Sequence, residues 1–161
     1  KHPGIIMFVW LETTPIAQLV ALSLWAYPAL LSLHIIGLAI VVGIFSMRDL
    51  RLLGIAHGVE PTAFISLGKL SWIGFTINAL SGILLFTSQA TIFITSIPFL
   101  SKISFITVGM VLAVIIQARL SNLLVDDRYI NSVDRTTRFL AAISMSLWIG
   151  AIIAGRLIAY F

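Results

Sequence analysis

Apolar residues run almost unbroken through four stretches of the chain, and short segments rich in charged and polar residues divide them. The stretches cover about Tyr27 to Phe45, Phe64 to Phe86, Ile103 to Leu124 and Phe139 to Tyr160. A hydrocarbon layer about 30 Å thick is crossed by roughly 20 helical residues, so each stretch predicts a membrane-spanning helix. Upstream, "ETTPIAQ" predicts a helix capped by Thr14 with Pro15 in its first turn. That helix is expected to lie in the interface over about 15–25. The chain then turns inward near Pro28, where the missing backbone donor gives a kink its mechanical cause. "VEPTAF" opens the second span with Pro61 early, "TSQATIFITSIPF" is a polar connection between the second and third, and "DDRYINSVDRTTR" joins the third to the fourth. The fold class is all-α: one transmembrane domain over 1–161, a four-helix bundle with an N-terminal interfacial helix.

Composition strengthens this reading. Of 161 residues, 60% are hydrophobic and only 10% charged, with a mean hydropathy of +1.10. A soluble domain is usually about a quarter charged. The net charge of +4 therefore speaks for orientation and lipid headgroups rather than nucleic acid. Arg48 and Arg51, with Lys69 nearby, follow the first span, and Arg119, Arg128, Arg135 and Arg138 follow the third. The connection between the second and third offers only Lys102. The basic loops are thus expected in the cytoplasm and both termini on the periplasmic side. Ile5 to Trp10 is too short for a signal-peptide core and cleavage site. With no cysteine, disulfides, thiolate metal sites and iron–sulfur clusters are excluded.

Two stripes of small or polar residues suggest close helix packing: Gly74, Asn78, Ser81 and Gly82, and Ala142, Ser146, Gly150 and Ala154. They serve either as ordinary packing or as room for a flat cofactor. Candidate chemistry starts at His34, an ionisable ring inside the first span. Three readings stand side by side: a structural hydrogen bond to Asn78, Ser81 or a carbonyl, an axial ligand to haem iron, or a quinone or metal contact. His34 is expected roughly 10 Å below the surface, at 1.5 Å rise per residue. Met110 enters the third span at a similar depth, so histidine–methionine ligation is a candidate beside plain packing, with Met145 a weaker alternative. Arg156 near the end of the fourth span can snorkel, pair with Glu12 or clamp a haem propionate. Arg48, Asp49 and Arg51 are expected to anchor a helix end at the inner interface, with Asp49 paired to an arginine. His57 is expected in a solvated loop and His2 at a loose terminus. Asp126, Asp127 and Asp134 read as loop residues. No nucleophile–base pair, phosphate loop or chain of acidic residues through the spans is present.

The segments "WAYP", "LHIIGLA", "DLRLLG", "GFTINALSGILLF" and "AAISMSLWIGAIIAGRLIAY", in this order, resemble a family of small bacterial inner-membrane proteins of unknown function. The resemblance covers about Trp25 to Tyr160. It implies four transmembrane helices in a bacterial cytoplasmic membrane and assigns no activity. His34, Asp49, Arg51, Gly82, Trp148 and Arg156 are the positions it carries over. The architecture is also similar to membrane b-type cytochromes and copper-resistance membrane proteins. Such cytochromes use two histidines per haem, and relatives carry another histidine late in the third span, where this chain has Ile116 and Gln117. That departure tells against bis-histidine ligation within one subunit. The expected function is a membrane-embedded electron-transfer subunit, binding haem b or linked to quinone through His34, Met110 and Arg156. Its partner is expected to be a periplasmic dehydrogenase or cytochrome, or a second copy supplying another His34. The alternatives are a non-redox accessory or assembly subunit, and copper handling by His34, Met7 and Met110.

Overall fold

The computed structural model describes residues 3–125 and 133–160, and among them every regular element is helical. The order is α1 (Pro3–Glu12), α2 (Pro15–Leu22), α3 (Ala26–Leu52), α4 (Ala63–Ser88), α5 (Ala90–Thr95), α6 (Ile97–Val125) and α7 (Arg135–Leu157). Four of them, Ala26–Leu52, Ala63–Ser88, Ile97–Asn122 and Arg135–Leu157, are long and apolar enough to cross a membrane. The four-helix membrane architecture read from the apolar runs is therefore present. His2, Asp126, Asp127 and Arg128 lie outside the described residues.

The ends of the helices differ from expectation in ways that matter later. α3 continues past Phe45 to Leu52 and takes Arg48, Asp49 and Arg51 into the helix. α6 starts at Ile97 rather than Ile103, because Pro98 falls in its first turn, where a missing N–H removes no helical bond. Pro28 likewise sits in the first turn of α3, where its missing N–H removes no helical bond. The helical run is interrupted before it, at Ser23–Trp25, where the Ser23 hydroxyl accepts the Ala26 N–H at 3.2 Å. The α2 start matches its signature: Thr14 accepts the Ala17 N–H at 3.3 Å, with Pro15 following. Ile5 to Trp10 belongs to α1, an element not expected from the sequence, and α1 and α2 are bent by 66° to each other. The segment expected as a plain connection contains α5. Glu12 ties it down by accepting both the N–H and the hydroxyl of Thr91 at 2.8 Å. Phe86, Phe93 and Phe99 stack beside it at 5.2–6.3 Å. α1, α2 and α5 thus gather at one end of the bundle, here called the capped end.

The long helices are arranged in the order α4, α3, α7, α6, and α4 meets α6 only along a short seam. The tightest approach is between α3 and α4. A Cβ on Gly37 would stand 2.7 Å from the Asn78 nitrogen and 2.8 Å from the Gly74 oxygen, and one on Gly74 would stand 2.6 Å from Ile40 Cγ2. Backbones this close give dispersion contact that lipid cannot replace. The expected stripe on α4 is borne out, with Gly74, Asn78 and Ser81 facing inward. The expected stripe on α7 is borne out in its second half alone, where Ala154 is buried and a Cβ on Gly150 would stand 3.1 Å from the Phe105 ring. Ala142 and Ser146 are exposed, and the inner face is Ala141, Ser144, Trp148, Ala151 and Ala154. The sequence favoured the smallest residues, whereas bulky Trp148 turns inward and its ring lies over Gly109 of α6, where an added Cβ would stand 3.4 Å from it. Two apolar layers fill the interior: Val41, Phe45, Met110, Ala113 and Trp148, then Leu52, Phe64, Ile116, Leu120 and Ala141. Large apolar side chains such as Ile36, Ile73, Ile83, Val111 and Ile153 point outward, as a lipid-facing surface requires.

Gly37→Ala is expected to lower stability by about 1–3 kcal/mol, because both neighbours of the new methyl are backbone. Gly43→Ala, with nothing within 4 Å, serves as the neutral control, and unfolding in detergent monitored by circular dichroism compares the two. At the start of α7, Asp134 accepts the Thr137 N–H at 3.2 Å. Hydrogen bonding from the Thr137 side chain, with the backbone bond, holds its carboxyl below the usual range. A depressed carboxylate stabilises the folded state above its unfolded pKa of about 3.9 and loses that contribution as pH falls through the folded value. Amide exchange in the first turn of α7 is therefore expected to quicken relative to the rest of the helix on acidification below about pH 4.

Candidate functional site

His34 lies in the third turn of α3, facing a turn of α4 that carries Asn78, Ser81 and Gly82. Its Nδ1 is 2.9 Å from the Asn78 backbone oxygen. A carbonyl can only accept, so Nδ1 carries the proton. The Ser81 hydroxyl donates to the Ile77 oxygen at 2.6 Å, which leaves its own oxygen to accept a second share of the Nδ1–H at 3.3 Å. In return the Asn78 side-chain amide donates to the His34 backbone oxygen at 2.9 Å. Gly82 makes the room: a Cβ there would stand 2.9 Å from the ring Cε1. The imidazole is thus seated against α4 in one tautomer, with a lone pair on Nε2.

That lone pair faces Lys102. Its Nζ, from the second turn of α6, is 3.5 Å from Nε2, and its stem passes Gly155 of α7, where a Cβ would be 3.5 Å from Cδ. All four long helices therefore contribute to one polar centre near the capped end. Both ionisable side chains are half-buried. The ion pairs among the described residues are Arg48–Asp49 and Arg119–Asp134, so Lys102 has no carboxylate partner there. A cation inside a spanning helix without a counter-charge is expensive and has to be set against some gain.

Lys102 was counted in the sequence only as an orientation charge. The signal that could have revealed it is its place just after Pro98, which makes an earlier helix start possible and moves Lys102 inside. The same shift explains Met110. Eight residues beyond Lys102, it lies about 12 Å deeper along α6, packed with Val41, Phe45, Ala113 and Trp148. The structure does not bring it to His34. The residues present do not fit a haem held by His34 and Met110: the imidazole tautomer suits a metal, but its lone pair meets an ammonium and the thioether is a layer away. Arg156 is exposed in the last turn of α7, donating to the Tyr160 hydroxyl at 3.4 Å and lying over that ring at 5.6 Å. It does not pair with Glu12, which Thr91 occupies. Met7 is exposed on α1, and His57 is exposed. Among the described residues no group of three or more histidines and carboxylates could hold a metal ion.

A second polar centre lies toward the other end. Arg48 and Asp49 were expected at the interface, yet they are 1% and 0% exposed. Arg48 Nε and Nη2 donate to Asp49 Oδ1 at 3.0 and 2.8 Å, Nη1 donates to the Ala113 oxygen at 3.0 Å, and the guanidinium lies 4.9 Å from the Phe45 ring centre. The pairing of Asp49 with an arginine is thus as expected, and its place is not, because α3 runs on to Leu52 and turns both residues inward. Arg51 donates to the Val59 oxygen at 2.8 Å and closes the following loop. Phe45 and Ala113 also line a small cavity of about 20 Å³ at the α4–α6 seam, with Gly68, Trp72, Val114 and Gln117.

Comparison with protein-family models, with curated proteins and with solved structures gives no match.

The two centres are expected to respond differently to neutralisation. Asp49→Asn strands the Arg48 charge and is expected to destabilise by about 3–5 kcal/mol. Lys102→Met removes a charge that no carboxylate balances, and is expected to leave the unfolding midpoint unchanged or raise it. Detergent unfolding of the two variants beside the parent protein measures both.

Proposed function

We propose that the chain is a quinone-linked electron-transfer subunit of a bacterial inner membrane, and that Lys102 and His34 hold the quinone headgroup. The observation that carries this reading is the 3.5 Å approach of Lys102 Nζ to His34 Nε2 inside the spans. A quinone supplies two-electron chemistry coupled to protons, and its headgroup presents carbonyl oxygens that gain negative charge on reduction. Lys102 offers up to three N–H donors on a positive charge, suited to such an oxygen. His34, held by Asn78, keeps its basic nitrogen turned toward the same place and can take up or give a proton there. The half-buried position near the capped end suits a molecule that arrives through lipid. The layer of Val41, Phe45, Met110 and Trp148 below it favours proton exchange with the capped end alone. That end is the periplasmic one if Arg119, Arg135 and Arg138 mark the cytoplasmic side. Electrons must come from a partner, since the chain holds no cysteine cluster ligands of its own.

Purified protein in lipid nanodiscs, titrated with a decyl-tailed benzoquinone and followed by tryptophan fluorescence, is expected to show saturable binding. Lys102→Met and His34→Leu are each expected to weaken it at least tenfold. No saturable binding would overturn the proposal and favour an accessory role in which His34 only ties α3 to α4. A dithionite-reduced spectrum with a sharp alpha band, lost in His34→Ala, would overturn it in favour of haem.

A further inference from the structure

Packing closes most directions away from the Lys102–His34 contact. Toward the capped end, Phe93 of α5 stacks on Phe86 of α4 and Phe99 of α6 at 6.3 and 5.2 Å. Toward the other end lies the layer of Val41, Phe45, Met110 and Trp148. α3 and α4 touch at Gly37 and Gly74, and α3 packs on α7 through Phe45 and Trp148 at 5.7 Å. On the side of α7 the Lys102 stem itself lies against Gly155. α4 and α6 are the neighbours that stand apart, meeting only along their short seam.

Two contacts fix the register of that antiparallel pair. Near the capped end the rings of Phe86 and Phe99 stack at 5.5 Å, and near the other end Gln117 Nε2 donates to the Phe64 oxygen at 3.1 Å. Counting inward from the rings along one face of each helix, Gly82, Ala79 and Trp72 of α4 come opposite Lys102, Ile106 and Ala113 of α6. The cavity of about 20 Å³ agrees with this count, because Trp72 and Ala113 both line it. Phe45 of α3 lines it as well, so the gap between α4 and α6 reaches through to the helix behind. Beside Lys102, the facing residues of α4 are the half-buried Gly82 and Ala79, which fill little of that gap.

The cleft is polar at one end and apolar along the rest. It begins at Lys102 and His34 and runs about 10 Å from Ala79 to the notch at Trp72 and Ala113. An amphiphile with a polar head and an alkyl tail has the same order. A helix, about 10–12 Å across with its side chains, is too wide to enter between α4 and α6 while Phe86–Phe99 and Phe64–Gln117 bridge them at both ends. A single alkyl chain is not. We infer that the cleft between α4 and α6 holds the alkyl tail of the quinone, so that the site takes lipid-tailed quinones in preference to water-soluble ones. The inference rests on the quinone reading and adds to it the path and the tail. The tail then stays among apolar groups from the headgroup outward, with no stretch of it exposed to water.

Equilibrium affinity senses only what the bound molecule occupies, so a side chain placed in the cleft separates tail from headgroup. Titrations in nanodiscs compare a decyl-tailed benzoquinone with the same benzoquinone lacking the tail. Ala79→Phe is expected to weaken binding of the decyl compound by about tenfold or more and to leave the tail-free compound unchanged. Leu80→Phe, on the lipid-facing side of the same turn and 59% exposed, is expected to change neither. Should Ala79→Phe not fold, Ile106→Trp places the obstruction on α6 with the same expectation. Unchanged decyl affinity in the obstructed variant overturns the inference and leaves the cleft to bilayer lipid. Equal weakening of both compounds also overturns it, because the obstruction then acts on the headgroup. Parent protein that binds neither compound would instead refute the quinone reading itself, and the tail with it.

Discussion

The backbones of α3 and α4 touch at Gly37 and Gly74, and the chemistry near the capped end depends on that contact. Only at this separation can Asn78 reach the His34 backbone oxygen while His34 reaches the Asn78 oxygen. In hydrocarbon there is no water to take over a lost bond, so a helix pair held by two such bonds is fixed in register as well as distance. Gly82 extends the same logic by one turn, since the ring needs the volume that a side chain would fill. Glycine here is less a flexible residue than a permission for polar groups to meet.

A bundle built this way separates its polar atoms into two centres. Near the capped end, His34 and Lys102 form a centre with surplus positive charge and partial exposure. Toward the other end, Arg48 and Asp49 form one that is neutral and closed. Val41, Phe45, Met110, Ala113 and Trp148 fill the space between them. The two differ in what they ask of their surroundings. A paired and buried charge couples α3 to α6 through the Ala113 carbonyl and contributes more to fixing geometry than to net stability. An unpaired one is tolerated only near the end of a span, where headgroups, water or a ligand can answer it.

How far the site was legible depends on which residue is considered. His34 could be singled out because an imidazole among leucines and isoleucines stands out in any single span. Its partners Asn78 and Ser81 were visible as a polar stripe on α4, and a carbonyl or either residue was among the partners expected for His34. Lys102 was not legible as a site residue, since its meaning hung on where α6 begins. Met110 was misplaced for the same reason, as depth counted from a wrong start carries the error along the whole helix. The burial of Arg48 and Asp49 was hidden because charge near the end of an apolar run ordinarily marks an interface.

From the sequence alone follow the four spans, the helical class and the oddity of His34, because hydropathy and length act on each segment independently of its neighbours. Which face of α7 turns inward, which lysine meets the histidine, and which charged pair is enclosed were decided only when the helices packed. Those outcomes turn on where a helix begins or ends, as at Ile97 and Leu52, and on steric fit between facing surfaces, such as Trp148 upon Gly109. Such fit is a property of pairs of helices and is written in neither one alone.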